Sequence, residues 1–565
     1  MPEKRKRVVD ENEENDENDE EKNDPSEIGS GSFGTIHLLD DNDDPTASGG
    51  GKVVTKKCTF QKRRPDLPVP FLREYIALKT IGNGHVNVVN AFDFDLKKRT
   101  FCMERLSGSL FHYLHRVGQL SEDAAVNATL QIARGVSFLH DRGIIHRDLS
   151  SNNILVDTTA KDHPRFVIGD FGTVVKSITG REMTTLVTTI PFRAPEMMFG
   201  SRFYGKPIDV WALGILAIEM IHGKCFIHRG TNKDQLIRTF FLTGVPSESN
   251  WPDASKLPSY TKFEPMMRVS LRVNEGTEKL IKWLMTLDPD RRPLASEVVE
   301  RLNSDDGVYK AAMPTVTTPH TSRANAMPQT KTNNNRKTGW VVCKDNDDDV
   351  VLYRHTGLTA NYHRAKVVDY LVANAYDLSM SRLALHNAVG LLDAYMALKD
   401  GKLPREKLQH LSLACLLVAA KLFDVKDLFA SEVAADTGTT IEELVDLEGE
   451  VMVIASSSEW FGFDTILPYI DNDAVSKSVR TDSASALGYL TDFSLLLLKP
   501  DFKSLAASVK CLARGERRDD DNPYCTELHR LLGKKPMKVL ERDGPFAMGR
   551  HVIVEEGGDA PLSAY

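Results

Sequence analysis

The sequence predicts an α+β chain: a small sheet-rich lobe, a larger helical lobe and, beyond a polar linker, an all-α bundle. Three observations carry this. Short runs rich in β-branched and aromatic residues come first (35–39, 53–58 and 99–103), and longer helical periodicities follow to about residue 302. Residues 303–348 are then dominated by Pro, Thr, Asn and Ser, which is linker composition. From about residue 350 the pattern is helical again, centred on 408–423 (LQHLSLACLLVAAKLF), a stretch apolar on nearly every side and therefore the buried middle of a bundle.

In chain order, residues 1–25 form a tail. Lys4-Arg5-Lys6-Arg7 is followed by a run in which ten of the fifteen residues from 10 to 24 are Asp or Glu, a segment that repels itself and has little to bury. The basic tetrad reads equally as a weak nuclear import signal and as a solvated tail. The folded part occupies 26–302, with a turn-rich insertion at 40–51 (DDNDDPTASGGG) between two strands. After the linker come a first helical unit at 349–464, a second and shorter one at 465–545, and a tail at 546–565. Within the first unit, 369–398 and 441–453 are amphipathic helices around the central one. In the second, 479–512 has similar texture.

Composition narrows the class. A chain of 565 residues has room for three or four domains or lobes. The formal charge of -8, from 71 basic and 79 acidic side chains, gives no global pull toward nucleic acid or anionic membrane, and no direct partner of either kind is expected. The seven cysteines are scattered with no CxxC pair, which fits a reducing, intracellular compartment rather than a disulfide framework or a zinc site. The longest apolar run, 210–220, is too short to span a bilayer, and the charged N-terminus does not read as a secretory signal.

The chemistry lies in an ordered set of motifs. Gly29-Ser30-Gly31-Ser32-Phe33-Gly34-Thr35-Ile36 is a glycine turn that lets backbone amides approach phosphates. Lys56 ends a strand and is suited to phosphate oxygens. Arg73-Glu74 lies on a helical pattern and offers that lysine a carboxylate. His146-Arg147-Asp148-Leu149 follows, with Asn153 five residues after the Asp, then Asp170-Phe171-Gly172 behind an apolar strand, then Ala194-Pro195-Glu196. Each piece alone is ordinary loop. Six in this order are not.

The set resembles the signature of protein kinases. The resemblance implies a two-lobed kinase fold over about 26–302, with ATP and Mg2+ as cofactors and protein hydroxyls as substrates. It makes Asp148 the residue that accepts the hydroxyl proton. Asn153 and Asp170 become the metal ligands, and Lys56, held by Glu74, contacts the α/β-phosphates. Gly29, Ser30, Gly31, Ser32, Phe33, Gly34 and Ile36 would cover the nucleotide, with Met103 as gatekeeper and Glu104 and Leu106 in the hinge. Arg193 before Ala194, the segments 234–238, 242–246 and 250–252, and Pro68, Arg73 and Glu74 are similar to cyclin-dependent kinases. Glu196 with Arg292 is implied as a buried structural ion pair.

Several positions depart from that family. Ser150 stands where its members have a lysine against the γ-phosphate, a feature also compatible with a tyrosine or dual-specificity kinase or with a pseudokinase scaffold. Thr189, seven residues before Glu196, is the Ser/Thr-type residue. Arg193 and the 187–188 backbone sit where the family shapes a pocket favouring a following proline, altered here by Thr188 and Pro191. Ser32-Phe33 removes the inhibitory Thr-Tyr pair. Thr184, with Thr185 as rival, occupies the activating phosphosite, with Arg73 and Arg147 as its arginines. The third arginine is replaced by Val175, which weakens that cluster.

Residues 363–371 (HRAKVVDYL) resemble the first helix of a cyclin box, with Arg364 and Asp369 in the positions that hold the bundle. Lys421 and Glu448 stand in those that grip the kinase helix. The substrate-docking patch, His363-Arg364-Ala365-Lys366-Val367, has lost two apolar anchors, which weakens docking of Arg-x-Leu substrates. The resemblance implies a cyclin box followed by a second cyclin fold, and an intramolecular kinase–cyclin contact. A linker of about 45 residues spans roughly 35–40 Å r.m.s., which gives an effective concentration on the order of mM.

Overall fold

The computed structural model describes residues 26–304 and 349–457, apart from short internal stretches, together with 502–513 and 528. The acidic tail, the insertion at 40–51, Ser32 and Phe33, Thr185, the linker and most of 465–545 lie outside the described residues.

The first lobe is a five-stranded antiparallel sheet in the order β1 (Glu27–Gly31), β2 (Gly34–Leu38), β3 (Val53–Cys58), β5 (Thr100–Glu104), β4 (Ala91–Asp95). Gly34 sits so close to the next strand that a Cβ would lie 2.5 Å from the Lys57 carbonyl oxygen, so only glycine fits there. Register aligns Ile36 with Lys56 and Lys56 with Phe101 across β2, β3 and β5, which puts all three on one face.

Helix α1 (Val69–Ile81) starts with Pro68 as N-cap and stops at Gly82, whose φ is 56°. It buries Phe71, Leu72, Glu74, Tyr75, Ile76, Ala77, Leu78 and Ile81, more than one stripe. Two of its sides are covered: β4 lies against it, and two helices of the second half pack on it from elsewhere.

The second lobe is built on α3 (Glu122–Asp141), capped by the Ser121 hydroxyl, and α5 (Pro207–His222), buried continuously from Ile208 to Ile221. Helix α2 (Leu110–Val117) precedes them, and between them in sequence lie the short ribbons β6 (Ile144–Ile145) with β9 (Val175–Lys176) and β7 (Ile154–Asp157) with β8 (Arg165–Ile168), and α4 (Pro195–Met198). The ribbons clamp the loops that carry the site. Helices α6 (Asn232–Thr243), α7 (Glu275–Leu284) and α8 (Ala295–Ser304) complete the lobe.

In the last part, β10 (Asp349–Val351) pairs antiparallel with β11 (Lys402–Pro404), a ribbon too short for the sequence pattern to signal. Helices α9 (Tyr362–Asp377), α10 (Arg382–Leu398), α11 (Arg405–Phe423), α12 (Ala430–Thr437) and α13 (Ile441–Ser457) form the bundle. The expected central helix is α11, with Leu411 to Phe423 buried without a break. The stretch expected to be helical over 369–398 divides at Ser379, whose φ is 55°, and the Ser381 hydroxyl caps the new helix at the Ala384 amide. Arg364 pairs with Asp393 on α10, at 2.9 and 2.7 Å, a tie between two helices of the bundle, while the side chain of Asp369, its expected partner, lies outside the described residues. Of the stretch 465–545, where a second and shorter helical unit is expected, the described residues include α14 (Phe502–Ala513). No helix among the described residues is long and apolar enough to cross a membrane.

Candidate active site

Lys56 on β3 donates to both carboxylate oxygens of Glu74 on α1, at 2.7 and 2.8 Å. Its ammonium also lies 3.7 Å from Asp170, whose side chain is 34% exposed and so reachable by a ligand. Burial pulls Lys56 down, but Glu74 and Asp170 overcome it and hold the lysine above its ordinary value. The Phe171 amide donates to Glu74 at 3.4 Å, so α1 and the Asp170 loop share one carboxylate.

Asp148 is fixed from three sides. Asn153 Nδ2 donates to its carbonyl at 2.8 Å and its carboxylate at 3.0 Å, while the Thr189 amide and hydroxyl both donate to Asp148 Oδ1 at 2.7 Å. Arg147 and Asp170 have φ of 69° and 55°, backbone strain that surrounding bonds must hold in place. Buried Asp209 on α5 supplies much of that hold: it accepts from the amides of His146 and Arg147 at 2.9 Å and meets His140 Nε2 at the same distance. Burial raises Asp209, but these partners outweigh it and keep it below the usual carboxylate range.

Met103 is buried at the end of β5, and Leu106 is partly buried against the core. The Glu104 side chain is held by Arg165 at 2.7 Å, so its backbone is what the hinge presents. Arg165 also reaches Asp157 at 3.3 Å and the Val86 carbonyl at 3.0 Å; sequence reasoning did not single it out. Gly29, Ser30, Gly31 and Gly34 lie on the β1–β2 hairpin, and Ile36 on β2. Ser150 is buried, and its hydroxyl has no partner among the described residues. The expected Glu196–Arg292 pair is present, bidentate at 2.9 and 3.1 Å.

The bundle reaches the site through the residues just before α1. Lys421 donates to the Leu67 carbonyl at 3.0 Å and Glu448 at 2.6 Å, and pairs with Asp66 at 2.9 Å. Glu448 in turn accepts from the Leu67 amide at 3.1 Å. Helices α11 and α13 pack on α1 behind these contacts. Burial raises Glu448 above its ordinary value although Lys421 and the Leu67 amide oppose it. Asp66 was missed from the sequence; its only signal was an acid placed before a helix that begins with proline.

Comparison with known proteins agrees. A protein kinase domain model matches residues 23–302, and a model of the cyclin N-terminal domain matches 342–454. The chain thus joins a protein kinase domain to a cyclin domain. It is similar to cyclin-dependent kinase C-1 of Oryza sativa subsp. japonica, at 26% identity over 304 residues, 48% of this chain and 56% of that protein; it spans about half the length of that relative. Among solved structures, a chain in the structure of the CAK complex from Chaetomium thermophilum bound to ATP-gamma-S is 28% identical, over 49% of this chain and 88% of that one, with a TM-score of 0.44.

Proposed function

We propose that the chain is an ATP-dependent protein Ser/Thr kinase of cyclin-dependent type, activated by the cyclin domain it carries. The observation that carries this is the continuous path from Lys421 and Glu448, through residues 66–67, along α1 to Glu74 and Lys56. The cyclin contact sits immediately before the helix that carries the Glu74 end of the catalytic ion pair.

The residues fit the cofactors. Asn153 spends its amide hydrogens on Asp148, which leaves its carbonyl oxygen as a hard donor beside the partly exposed Asp170 carboxylate. Mg2+ takes one or two protein oxygens and completes its shell from phosphates and water, which two oxygen donors of this kind can satisfy. Asn153 and Asp170 would hold Mg2+. The β1–β2 hairpin and Lys56 would hold the phosphates of ATP, and the hinge at Met103, Glu104 and Leu106 its base. Bound Mg-ATP supplies an activated phosphoryl group and charge neutralisation. Asp148 is the group placed to accept the proton of the incoming hydroxyl, and Thr189, bonded to it twice, shortens the acceptor channel in favour of Ser and Thr. Arg193 occupies the Thr188 carbonyl at 2.8 Å, so a substrate residue beside it gains nothing from a free amide, which favours proline.

Transfer of labelled γ-phosphate from ATP to an array of Ser, Thr and Tyr peptides by the full chain tests the reading. Signal on Ser and Thr, strongest before proline, supports it. Stronger signal on Tyr would make Ser150 the governing residue, and no transfer at all would favour a kinase-like scaffold.

A further inference from the structure

Arg165 opens β8 on the second lobe, and its guanidinium reaches both lobes. Nη2 donates to Glu104 Oε2 at 2.7 Å, at the end of β5 where the hinge begins, and to Asp157 Oδ2 at 3.3 Å, on its cross-strand neighbour in β7. Nη1 donates to the Val86 carbonyl at 3.0 Å, in the loop between α1 and β4. A planar group with its donors in a fixed fork holds three acceptors in one relative geometry, which an ammonium on a flexible stem does less well. The side chains of Arg165, Asp157 and Glu104 are 17%, 21% and 29% exposed, so water screens these contacts only in part.

The loop at Val86 is itself fastened to the second lobe. The Val89 amide donates to the Ile168 carbonyl and the Ile168 amide to the Asn87 carbonyl, both at 2.9 Å. Asn87 Nδ2 donates to the Phe166 carbonyl at 2.8 Å and to Gln131 Oε1 at 3.2 Å. Gly135 on α3 lies so close that a Cβ there would sit 2.8 Å from the Asn87 carbonyl oxygen. These bonds make a seam of backbone along β8. Between the hinge and that seam, the Glu104 amide reaches the Asn90 carbonyl at 3.4 Å, a long bond, whereas the Glu104 side chain meets Arg165 at 2.7 Å. The side-chain bond is therefore the firmer of the two attachments.

Arg165 also keeps two like charges together. Glu104 and Asp157 share its Nη2, and without a cation between them their carboxylates would repel each other and push the hinge away from β7. Burial works against the Arg165 charge, but the bond and charge of Glu104, and then Asp157, outweigh it and hold the guanidinium above its ordinary value. Burial would raise Asp157, but its bonds from Thr159 and then Arg165 keep it below the usual carboxylate range, so it stays ionised. We propose that Arg165 is a positioning residue for nucleotide binding: by bonding Glu104, Asp157 and Val86 together, it fixes the hinge backbone against the second lobe and sets where the adenine of ATP is received. It acts through Glu104 and has no part in phosphoryl transfer. The inference deepens the kinase reading and rests on it for the identity of the ligand.

The test is calorimetric titration of Mg-ATP into the full-length chain, with KM and kcat for ATP measured beside it. Arg165→Met removes all three bonds and leaves the two carboxylates facing each other; Kd and KM for ATP rise roughly tenfold while kcat stays within about twofold. Arg165→Lys keeps the charge but not the fork and loses about threefold in Kd, and it serves as a second variant should the first not fold. Adding Asp157→Asn to Arg165→Met recovers about half of the loss, because the repulsion goes with the charge, a response that a purely structural role would not give. An unchanged Kd in both Arg165 variants overturns the proposal, as does a loss carried by kcat at constant Kd, or a double variant that binds no better than Arg165→Met. A wild-type chain that binds no Mg-ATP overturns the kinase reading together with the inference, whereas a chain that binds without transferring phosphate still decides the inference through Kd.

Discussion

Two buried lysine–glutamate pairs act on the same helix and differ in what they leave free. Lys56–Glu74 faces a cleft, with Asp170 a third exposed beside it. Lys421–Glu448 is sealed, with side chains 1% and 0% exposed, and the ammonium contacts Glu448, Asp66 and the Leu67 carbonyl. An ammonium has three donors, so the second pair has none to offer a ligand. It is satisfied only when residues 66–67 are in place. Removing one partner of a buried pair costs about 3–5 kcal/mol, although the intact pair adds little over an apolar substitute. The sealed pair therefore works as a positional pin, and the open pair as a site.

The contrast is sharpened first at the cleft. Asp170→Ala should reduce phosphotransfer by roughly 10³-fold or more. It should leave the melting transition nearly unchanged, because a partly exposed carboxylate is lost rather than core volume; the two are read by radiolabel transfer and calorimetry. The next effect lies in the cyclin half. Arg364→Met removes a 2%-exposed partner from Asp393, which is 32% exposed and can turn to water. The expected cost is about 2 kcal/mol, seen as an earlier melt of that half with the kinase half unaltered.

The smallest effect concerns Glu219 on α5. It accepts from the Ser151 hydroxyl at 3.0 Å, its other oxygen is buried without a partner among the described residues, and burial pushes it up to about 7. Between pH 4.5 and about 7 the folded chain then holds a proton that the unfolded chain has lost. This contribution to stability is full below pH 4.5, declines as pH rises and is gone above about 7. Glu219→Gln should flatten that slope and stabilise the kinase domain at pH 8 by on the order of 2 kcal/mol, as judged from denaturant midpoints across pH.

Legibility followed the range of the interactions. Lys56, Glu74, Asp148, Asn153 and Asp170 were readable because each sits in a short motif with fixed local neighbours. The apolar stretch of α11 was readable because burial on all sides leaves its own pattern. Asp66, Arg165, Arg181 and Asp393 were not, since each acts on a residue distant in sequence and none lies in a motif. Arg181 is the instructive case: no motif contains it, yet the fold sets its guanidinium on the Leu422 carbonyl, 241 residues away in sequence, at 2.7 Å. The break at Ser379 was hidden because the residues on both sides of it are helix formers.

The central claim is that the cyclin half, by holding residues 66–67, keeps Glu74 on Lys56. It is tested most directly by the phosphotransfer rate of full-length Lys421→Met at saturating ATP and peptide, with folding of both halves confirmed by calorimetry. The change leaves Asp66 and Glu448 buried without their cation, a loss of about 3–5 kcal/mol at the contact. The account predicts a rate lower by roughly ten- to a hundredfold, even though Lys421 lies outside the cleft and touches none of its residues. A variant that folds, retains Lys421→Met and transfers phosphate at the wild-type rate would contradict it.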